Sequence, residues 1–363
     1  TAERAIVTAS IYLLTLICQD NTLWNVNLRP IVPALFGCNR QRSNGDGHLM
    51  PSSTQTSAAD TGQTARSSTV AVAILFAIVC LTWGTTWLGI KLAVDTVPPL
   101  LAAGLRFVIA FPLLYLIARA QRAPLLFPEG QGGLFVLIVI LYFALPYLLI
   151  NAGEQYVSSG LAALLFSTMP VFTVIFSVLI LREPIWATQL VGIVGGFFSL
   201  GMILHEQGVG FAYRSLFGAA AILLAALLHA YCYVTTKKRG AAIGIVTFNT
   251  LPIGIAGLAL TLVGLIVERP DVSQFSATSL GALVYLGTVA SVGGFLAYFH
   301  LLKQLSPVVL SFVFLIFPVI AVILSGWLEH RSVSPAFAGY CVVLIAAFAL
   351  TKLQIGRLSR ARA

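Results

Sequence analysis

The chain has 363 residues, of which 58% are hydrophobic and 9% charged, with a net charge of +9 and a mean hydropathy of +0.95. Soluble domains carry about 25% charged residues, so this composition excludes a water-soluble enzyme, a disordered chain and a nucleic-acid-binding protein. The excess of Lys and Arg is instead typical of the cytoplasmic loops of an integral membrane protein.

The first 68 residues differ from the rest of the chain. Residues 39–68 are rich in Ser, Thr, Gln, Gly and Asp and contain no apolar run, a composition typical of poorly structured linkers. The apolar stretch 5–18 has 14 residues, fewer than the roughly 20 that a spanning helix needs. We therefore interpret residues 1–68 as a poorly structured extension. A misplaced start of the gene and a true accessory segment both stay open.

From residue 69 onward, long apolar runs alternate with short polar breaks. Their lengths suit membrane-spanning helices and are too long for barrel strands, so the sequence predicts an all-α membrane protein with ten transmembrane helices. Five fall in a first unit, 69–204, five in a second unit, 216–353, and a basic cytoplasmic tail covers 354–363. The ten candidate spans are 69–90, 98–118, 132–152, 158–181, 188–204, 216–236, 243–267, 279–302, 306–328 and 335–353.

The basic residues between these spans predict the orientation. If the segment before the first span is cytoplasmic, the inner side holds twelve Lys and Arg residues and the outer side four. The inner residues are Arg66, Arg119, Arg122, Arg182, Lys237, Lys238, Arg239, Lys303, Lys352, Arg357, Arg360 and Arg362, and the outer ones are Lys91, Arg214, Arg269 and Arg331. Because Lys and Arg are enriched in cytoplasmic loops, both termini are predicted to be cytoplasmic.

An internal repeat relates the two units. Residues 147–176 align without a gap with residues 295–324, at an offset of 148 positions. Pro170 falls on Pro318, and both are predicted to break their helices. A unit of five spans places the second unit on the opposite side of the membrane, so the repeats are predicted to be inverted. Inverted repeats are typical of secondary transporters, which bind their substrate between the two halves.

Short motifs in both units resemble the EamA-type ten-helix members of the drug/metabolite transporter superfamily. In the first unit they are Thr82-Trp83-Gly84-Thr85-Thr86-Trp87, Val97-Pro98-Pro99, Arg106-Phe107, Ala162-Ala163-Leu164, Met169-Pro170 and Leu181-Arg182-Glu183-Pro184. In the second unit they are Tyr285-Leu286-Gly287, Leu305-Ser306-Pro307 and Phe317-Pro318-Val319. The resemblance covers about residues 69–353. It implies a carrier that exports or exchanges small metabolites, amino acids or drugs.

Polar and aromatic side chains inside the spans are candidates for the substrate cavity, because polar groups are costly in hydrocarbon. The candidates are Trp83, Thr86, Arg106, Tyr147, Asn151, His229, Tyr233 and Tyr298. Arg106 lies deep in the second span and has two interpretations. It either holds an anionic group of a substrate or ties helices together through backbone carbonyls, and we favour the second. The aromatic residues line a cavity or fill space between helices. A proton relay would need His229, His300 or Glu154.

These observations favour a secondary transporter in the cytoplasmic membrane, with the lipid bilayer and a small-molecule substrate as partners. We expect no enzyme activity, cofactor, metal or nucleic acid, since no nucleophile, phosphate-binding or metal-ligand motif is present in the sequence. The alternative is a membrane-embedded enzyme or lipid-handling protein on the same scaffold. Gly192 and Gly196 form a small-xxx-small motif that serves either internal packing or a homodimer contact.

The predicted orientation can be checked by labelling. Single cysteines placed at 237–240 should resist an impermeant thiol reagent applied outside cells, whereas cysteines placed at 268–273 should react. The physical reason is the charge bias, which keeps the Lys237-Lys238-Arg239 cluster on the cytoplasmic side. The reverse pattern would overturn both the orientation and the inverted repeat.

Overall fold

The computed structural model describes residues 58–182, 186–206, 213–240, 242–304, 313–328 and 334–352. Within these ranges the protein is helical and contains no strand. We number the helices α1 to α10. They are α1 Ala58–Ala93, α2 Pro99–Ala120, α3 Gly132–Glu154, α4 Ser159–Leu181, α5 Ala187–Glu206, α6 Tyr213–Arg239, α7 Ile245–Val267, α8 (Ala277–Tyr285 continued by Leu286–Gly293 and Gly294–Gln304), α9 Val313–Leu328 and α10 Pro335–Lys352.

Seven of these helices, α1 to α4 and α6 to α8, are long and apolar enough to cross a membrane. The apolar parts of α5, α9 and α10 are shorter: Ala187–Ile203, Ile316–Leu328 and Pro335–Ala347. The multi-pass, all-helical architecture expected from composition is therefore present in the described residues. The terminal parts 1–57 and 353–363, and the connection 207–212 between the predicted units, lie outside the described residues.

The first helix begins earlier than the sequence indicates. We placed the boundary of the extension at residue 68, but α1 begins at Ala58, and its apolar, membrane-length part begins at Ala71. The polar composition of residues 58–68 prevents them from forming a hydrophobic core. It does not prevent them from continuing a helix. Adding residues to an existing helix is far easier than nucleating one, so the polar segment 58–70 extends α1.

Helices of the first unit pack against helices of the second in a symmetric pattern. α2 lies along α7, α5 along α10 and α4 against α9. α1 packs against α8 and α9, while α6 packs against α3 and α4.

Gly192 and Gly196 are buried within the chain on α5, which packs mainly against α10. Both glycines therefore lie at contacts inside the chain.

The contact between α2 and α7 depends on glycine. A Cβ atom at Gly104 would lie 2.5 Å from the backbone nitrogen of Thr261, and one at Gly257 would lie 3.0 Å from the nitrogen of Val108. These separations leave no room for a methyl group, so the two backbones touch directly. Such close approach maximises dispersion contacts where the hydrophobic effect is absent.

Hydrogen bonds group the helix connections into two faces. On one, Thr247 Oγ1 donates to the Pro124 carbonyl at 2.6 Å and Lys238 Nζ to the Ile180 carbonyl at 3.0 Å. We call this the basic face, because α6 ends there with Lys237, Lys238 and Arg239. On the opposite face, both oxygens of the Glu268 carboxylate accept backbone N–H groups at the start of α2, each at 2.9 Å. These two hydrogen bonds satisfy backbone N–H groups that a helix leaves free at its N-terminus.

The turn between α7 and α8 on the opposite face is held by Asp271. Its carboxylate accepts the backbone N–H and the hydroxyl of Ser273, at 3.0 and 2.6 Å, and the side-chain amide of Gln274. The side-chain hydrogen bond from Ser273, followed by the backbone one, lowers the pKa of Asp271. The turn therefore keeps these bonds at neutral pH and loses them only as the pH falls through this lowered pKa.

Helical irregularities occur at matching places in the two predicted units. α3 contains a π-helical segment at Val139–Ala144, just before Pro146, and α8 contains one at Leu286–Gly293, just before Gly294. α4 is interrupted between Phe166 and Met169, next to Pro170 as predicted. The hydroxyls of Ser167 and Thr168 donate to the carbonyls of Leu164 and Leu165, both at 2.7 Å, which satisfies part of the backbone at the interruption.

The break predicted at Pro318 is absent. Pro318 lies inside α9, which continues from Val313 to Leu328. Proline is tolerated inside membrane helices. Here α1 approaches α9 closely at Gly84, where a Cβ atom would lie 2.6 Å from the Ile320 side chain and 3.3 Å from the Phe317 carbonyl.

The glycine contact gives a stability prediction. Gly104→Ala should force α2 away from α7 and lower the free energy of unfolding by about 1–3 kcal/mol, the usual penalty for overpacking. Gly281→Ala is the matched control, since a Cβ atom at this exposed helical position meets nothing within 4 Å. Thermal denaturation of both variants in detergent measures the difference. Equal melting temperatures would contradict the proposed role of Gly104.

Candidate functional site

Trp83 on α1 lies in an aromatic cluster with α8 and α9. Its indole stacks on the Tyr298 ring, with ring centroids 4.9 Å apart, and contacts Phe295 at 6.3 Å and Phe314 at 5.6 Å. Trp83 also touches Gly294, where a Cβ atom would lie 3.0 Å from the indole nitrogen. The structure thus brings together two of the predicted cavity residues, Trp83 and Tyr298.

His229 on α6 occupies a corresponding cluster with α3 and α4. Its ring lies 5.7 Å from the Tyr147 ring, 5.3 Å from Phe166 and 4.7 Å from Tyr142. Nδ1 lies 3.0 Å from the Ala225 carbonyl one turn earlier, so the buried imidazole has a backbone partner. Tyr147 and Phe166 are the repeat equivalents of Phe295 and Phe314, at the offset of 148.

Arg106 is buried between three helices, with 4% of its surface exposed. Its Nε donates to the Ser291 hydroxyl on α8 at 2.9 Å. Its Cζ lies 5.0 Å from the centroid of the Tyr147 ring on α3, within the range of a cation–π interaction. Nη1 is buried and has no hydrogen-bond partner among the described residues. The sequence predicts that Arg106 bonds to backbone carbonyls. Its Nε instead bonds to a side chain of α8.

A hydroxyl network beside Arg106 joins α1 to α8. The Tyr285 hydroxyl is hydrogen bonded to Thr85 Oγ1 and donates to the Thr82 carbonyl at 3.2 Å. The predicted cavity residue Thr86 uses its own hydroxyl for the Thr82 carbonyl, at 2.7 Å. Tyr285 also lies within electrostatic range of Arg106. The sequence did not mark Tyr285 or Ser291 as site residues, because nothing near them in the chain indicates that α8 meets α1 and α2.

Glu154 lies deeper in the protein than its position at the end of a span indicates. It is the last residue of α3 and is fully buried, within electrostatic range of Arg106. Lys91 Nζ on α1 donates to the backbone carbonyls of Glu154, at 2.5 Å, and Val157, at 3.2 Å. From the sequence, Glu154 is a candidate only for a proton relay. Its burial depends on helices that are distant in sequence, so no pattern of residues near Glu154 indicates it.

Two further predicted cavity residues have more limited roles. Asn151 is buried, and its side-chain amide donates to the Tyr147 carbonyl one turn earlier, at 2.7 Å. Tyr233 on α6 is 53% exposed and lies within electrostatic range of Tyr142 and Tyr298. Tyr233 therefore lies near residues of both aromatic clusters, on an exposed part of α6.

Comparison with known proteins agrees with this architecture. The EamA-like transporter family matches residues 70–205 and 216–352. Because these matches cover most of the chain, the protein belongs to the EamA-like transporter family, within the drug/metabolite transporter superfamily. It is a multi-pass membrane transporter.

Relatives cover most of the same region. Protein PagO of Salmonella typhimurium strain LT2 is 43% identical over 265 residues, which are 73% of this chain and 87% of PagO. An uncharacterized transporter of Buchnera aphidicola from Schizaphis graminum is 38% identical over 73% of this chain and 88% of its own length. One crystal structure superposes with a TM-score of 0.58 at 20% identity, over 80% of this chain and 99% of the other. This last match concerns the fold alone.

The Arg106–Ser291 bond gives a second stability prediction. Ser291→Ala should lower the free energy of unfolding by about 1.5–3 kcal/mol, since a hydrogen bond to a charged group is lost in a buried site. Thr288→Ala on the same helix is the control, because its hydroxyl bonds only to the Val284 carbonyl of its own helix, at 2.7 Å. Thermal denaturation in detergent compares the two. A larger effect at Thr288 would show that Arg106 does not depend on Ser291.

Proposed function

We propose that this protein is a secondary transporter that exports or exchanges small organic metabolites, amino acids or drug-like solutes by alternating access. It does so with ten transmembrane helices in two inverted five-helix repeats, between which the substrate binds. The observation that carries this proposal is the pair of matching aromatic clusters around Trp83 and His229. Each cluster joins the first helix of one repeat to helices of the other.

The helix contacts support the inverted repeat. Advancing every helix number by five turns the α1–α8 contact into α6–α3, and the α1–α9 contact into α6–α4. The α2–α7, α5–α10 and α4–α9 contacts are each turned into themselves. A two-fold axis in the membrane plane produces this pattern, and the π-helical segments of α3 and α8 follow it as well.

The opposite face is closed by contacts between α4 and the helices α1 and α9. Trp87 packs between Phe166 and Phe317, with ring centroids 5.2 and 6.2 Å away. Near the ends of α4 and α9, a Cβ atom at Gly160 would lie 3.0 Å from Ser325 Cβ. Toward the basic face the exposed Tyr233 borders the aromatic region. Alternating access requires the α4–α9 contact to separate when the opposite face opens.

We assign the basic face to the cytoplasm, which places both termini inside the cell. The support is the bias of Lys and Arg toward that face. A relative in Escherichia coli K12, 28% identical over 72% of this chain and 83% of its own length, is described as an inner membrane transporter, YedA. We therefore propose the inner membrane as the location of this protein.

Counterflow in proteoliposomes tests the transport activity. The purified protein is reconstituted and supplied with labelled amino acids, sugars and cationic drugs, and uptake is driven by the same unlabelled solute inside. We expect accumulation of at least one of these solutes above that in protein-free vesicles, without ATP, because exchange needs no energy beyond the gradient of the unlabelled solute. No accumulation across the panel would count against the transporter assignment.

A disulfide lock tests the mechanism. Cysteines at Gly160 and Ser325, in a protein whose native cysteines are replaced, should form a disulfide on oxidation once the two helices move apart by about 0.5 Å, which brings the Cβ atoms to the distance that a disulfide needs. Oxidation should abolish counterflow, and reduction should restore it, because the α4–α9 contact can then separate again. The two single-cysteine variants control for oxidation alone. Undiminished counterflow in the fully cross-linked protein would contradict alternating access at this contact.

A further inference from the structure

Arg106 belongs to one repeat only. The reciprocal contacts of Gly104 with Thr261, and of Gly257 with Val108, relate α2 to α7 at an offset of 153 positions. The position equivalent to Arg106 is therefore Ala259, an exposed apolar residue. The α2–α7 contact is the same in both repeats, but among the described residues a buried cation occurs beside it in the first repeat only. A charged residue buried within a membrane protein is costly, and such residues usually have a function.

A buried acid also lies near Arg106. Glu154 is fully buried and lies within electrostatic range of Arg106. Lys91 is bound to the same end of α3, through the Glu154 carbonyl. One acidic side chain of the protein itself therefore already lies near the guanidinium.

The guanidinium of Arg106 also has unused donors. Ser291 takes the proton of Nε, and the Tyr147 ring covers one face of the group, but Nη1 is buried and has no partner among the described residues. A guanidinium has five N–H donors in a fixed plane, and its unused edge matches the two oxygens of a carboxylate. A buried donor left without an acceptor is unfavourable, so an anion at this edge would be stabilised.

We propose that the substrate of this transporter is a small organic anion whose single carboxylate binds the Nη1 edge of Arg106. Glu154 limits the bound negative charge to one, because a second charge would meet its carboxylate in a site with little water. This inference rests on the proposed transport function and specifies its substrate class. It makes Arg106 a binding residue and Glu154 a residue that sets specificity for substrate charge.

Aromatic side chains connect this site to the exposed part of the protein. The Tyr147 ring lies against both Arg106 and His229, and His229 contacts Tyr142. Tyr142 is within electrostatic range of Tyr298 and of the exposed Tyr233. The faces of these rings suit an anion that has an apolar or aromatic body, because they offer dispersion contacts.

Binding is tested with four probes that share one ring: benzoate, its neutral amide benzamide, the cation benzylamine and the dianion phthalate. The readout is the shift in melting temperature of the purified full chain, titrated with each probe. We expect stabilisation by benzoate and none by benzamide or benzylamine. Equal stabilisation by benzamide, or none by benzoate, would overturn the inference without requiring any variant.

Two variants and one control assign the effect to residues. Arg106→Gln should weaken benzoate binding on the order of a hundredfold, as expected when one partner of a buried charge pair is removed. Arg119→Gln removes an exposed cation from the same helix and should bind benzoate like the wild-type protein. Glu154→Gln should gain affinity for phthalate relative to benzoate. Unchanged benzoate binding in Arg106→Gln, or an unchanged preference in Glu154→Gln, would overturn the respective role.

The same probes separate this inference from the transport proposal. If labelled neutral or cationic solutes undergo counterflow and benzoate does not stabilise the protein, the anion site is wrong and the transporter remains. If benzoate binds through Arg106 and neither the panel solutes nor labelled benzoate undergo counterflow, the anion site is supported and the transport proposal fails.

Discussion

The hydrocarbon core of a membrane offers no hydrogen bonds, and this constraint accounts for several bonds between side chains and backbone in the described residues. Every backbone group that leaves the regular helix must find a partner inside the protein. Ser167 and Thr168 bond to carbonyls where α4 is interrupted, Lys91 bonds to carbonyls where α3 ends, and Glu268 bonds to the N–H groups where α2 begins. The last of these connects the two family repeats, so satisfying the backbone also holds the halves together.

Two kinds of feature are superimposed on this framework. The glycine contacts between α2 and α7, and the rings around Trp83 and His229, occur in both repeats and follow from packing two similar units. Arg106 has no equivalent, since Ala259 lies at its place in the second repeat. Symmetric features are explained by the assembly of the fold. The asymmetric cation needs a separate explanation, and in our proposal this is the charge of the substrate.

Much of this could be predicted because the membrane imposes a length and a composition on each helix. The apolar run around Arg106 predicted α2, and the alignment of 147–176 with 295–324 predicted which residues of the two units correspond. Helix ends were predicted less well. Ala58 continues α1 beyond its apolar part, and α9 continues through Pro318, since neighbouring turns and helices, rather than the residue itself, decide whether a helix stops.

By itself, the sequence determined the helical membrane architecture and the transporter family, because hydropathy and family motifs are properties of contiguous residues. Only the tertiary structure decided which polar groups meet. Ser291 is 185 positions from Arg106, and Tyr285 is 200 from Thr85. The burial of Glu154 likewise depends on helices packed around the end of α3. Contacts of this kind depend on how helices cross, and no pattern of neighbouring residues records that.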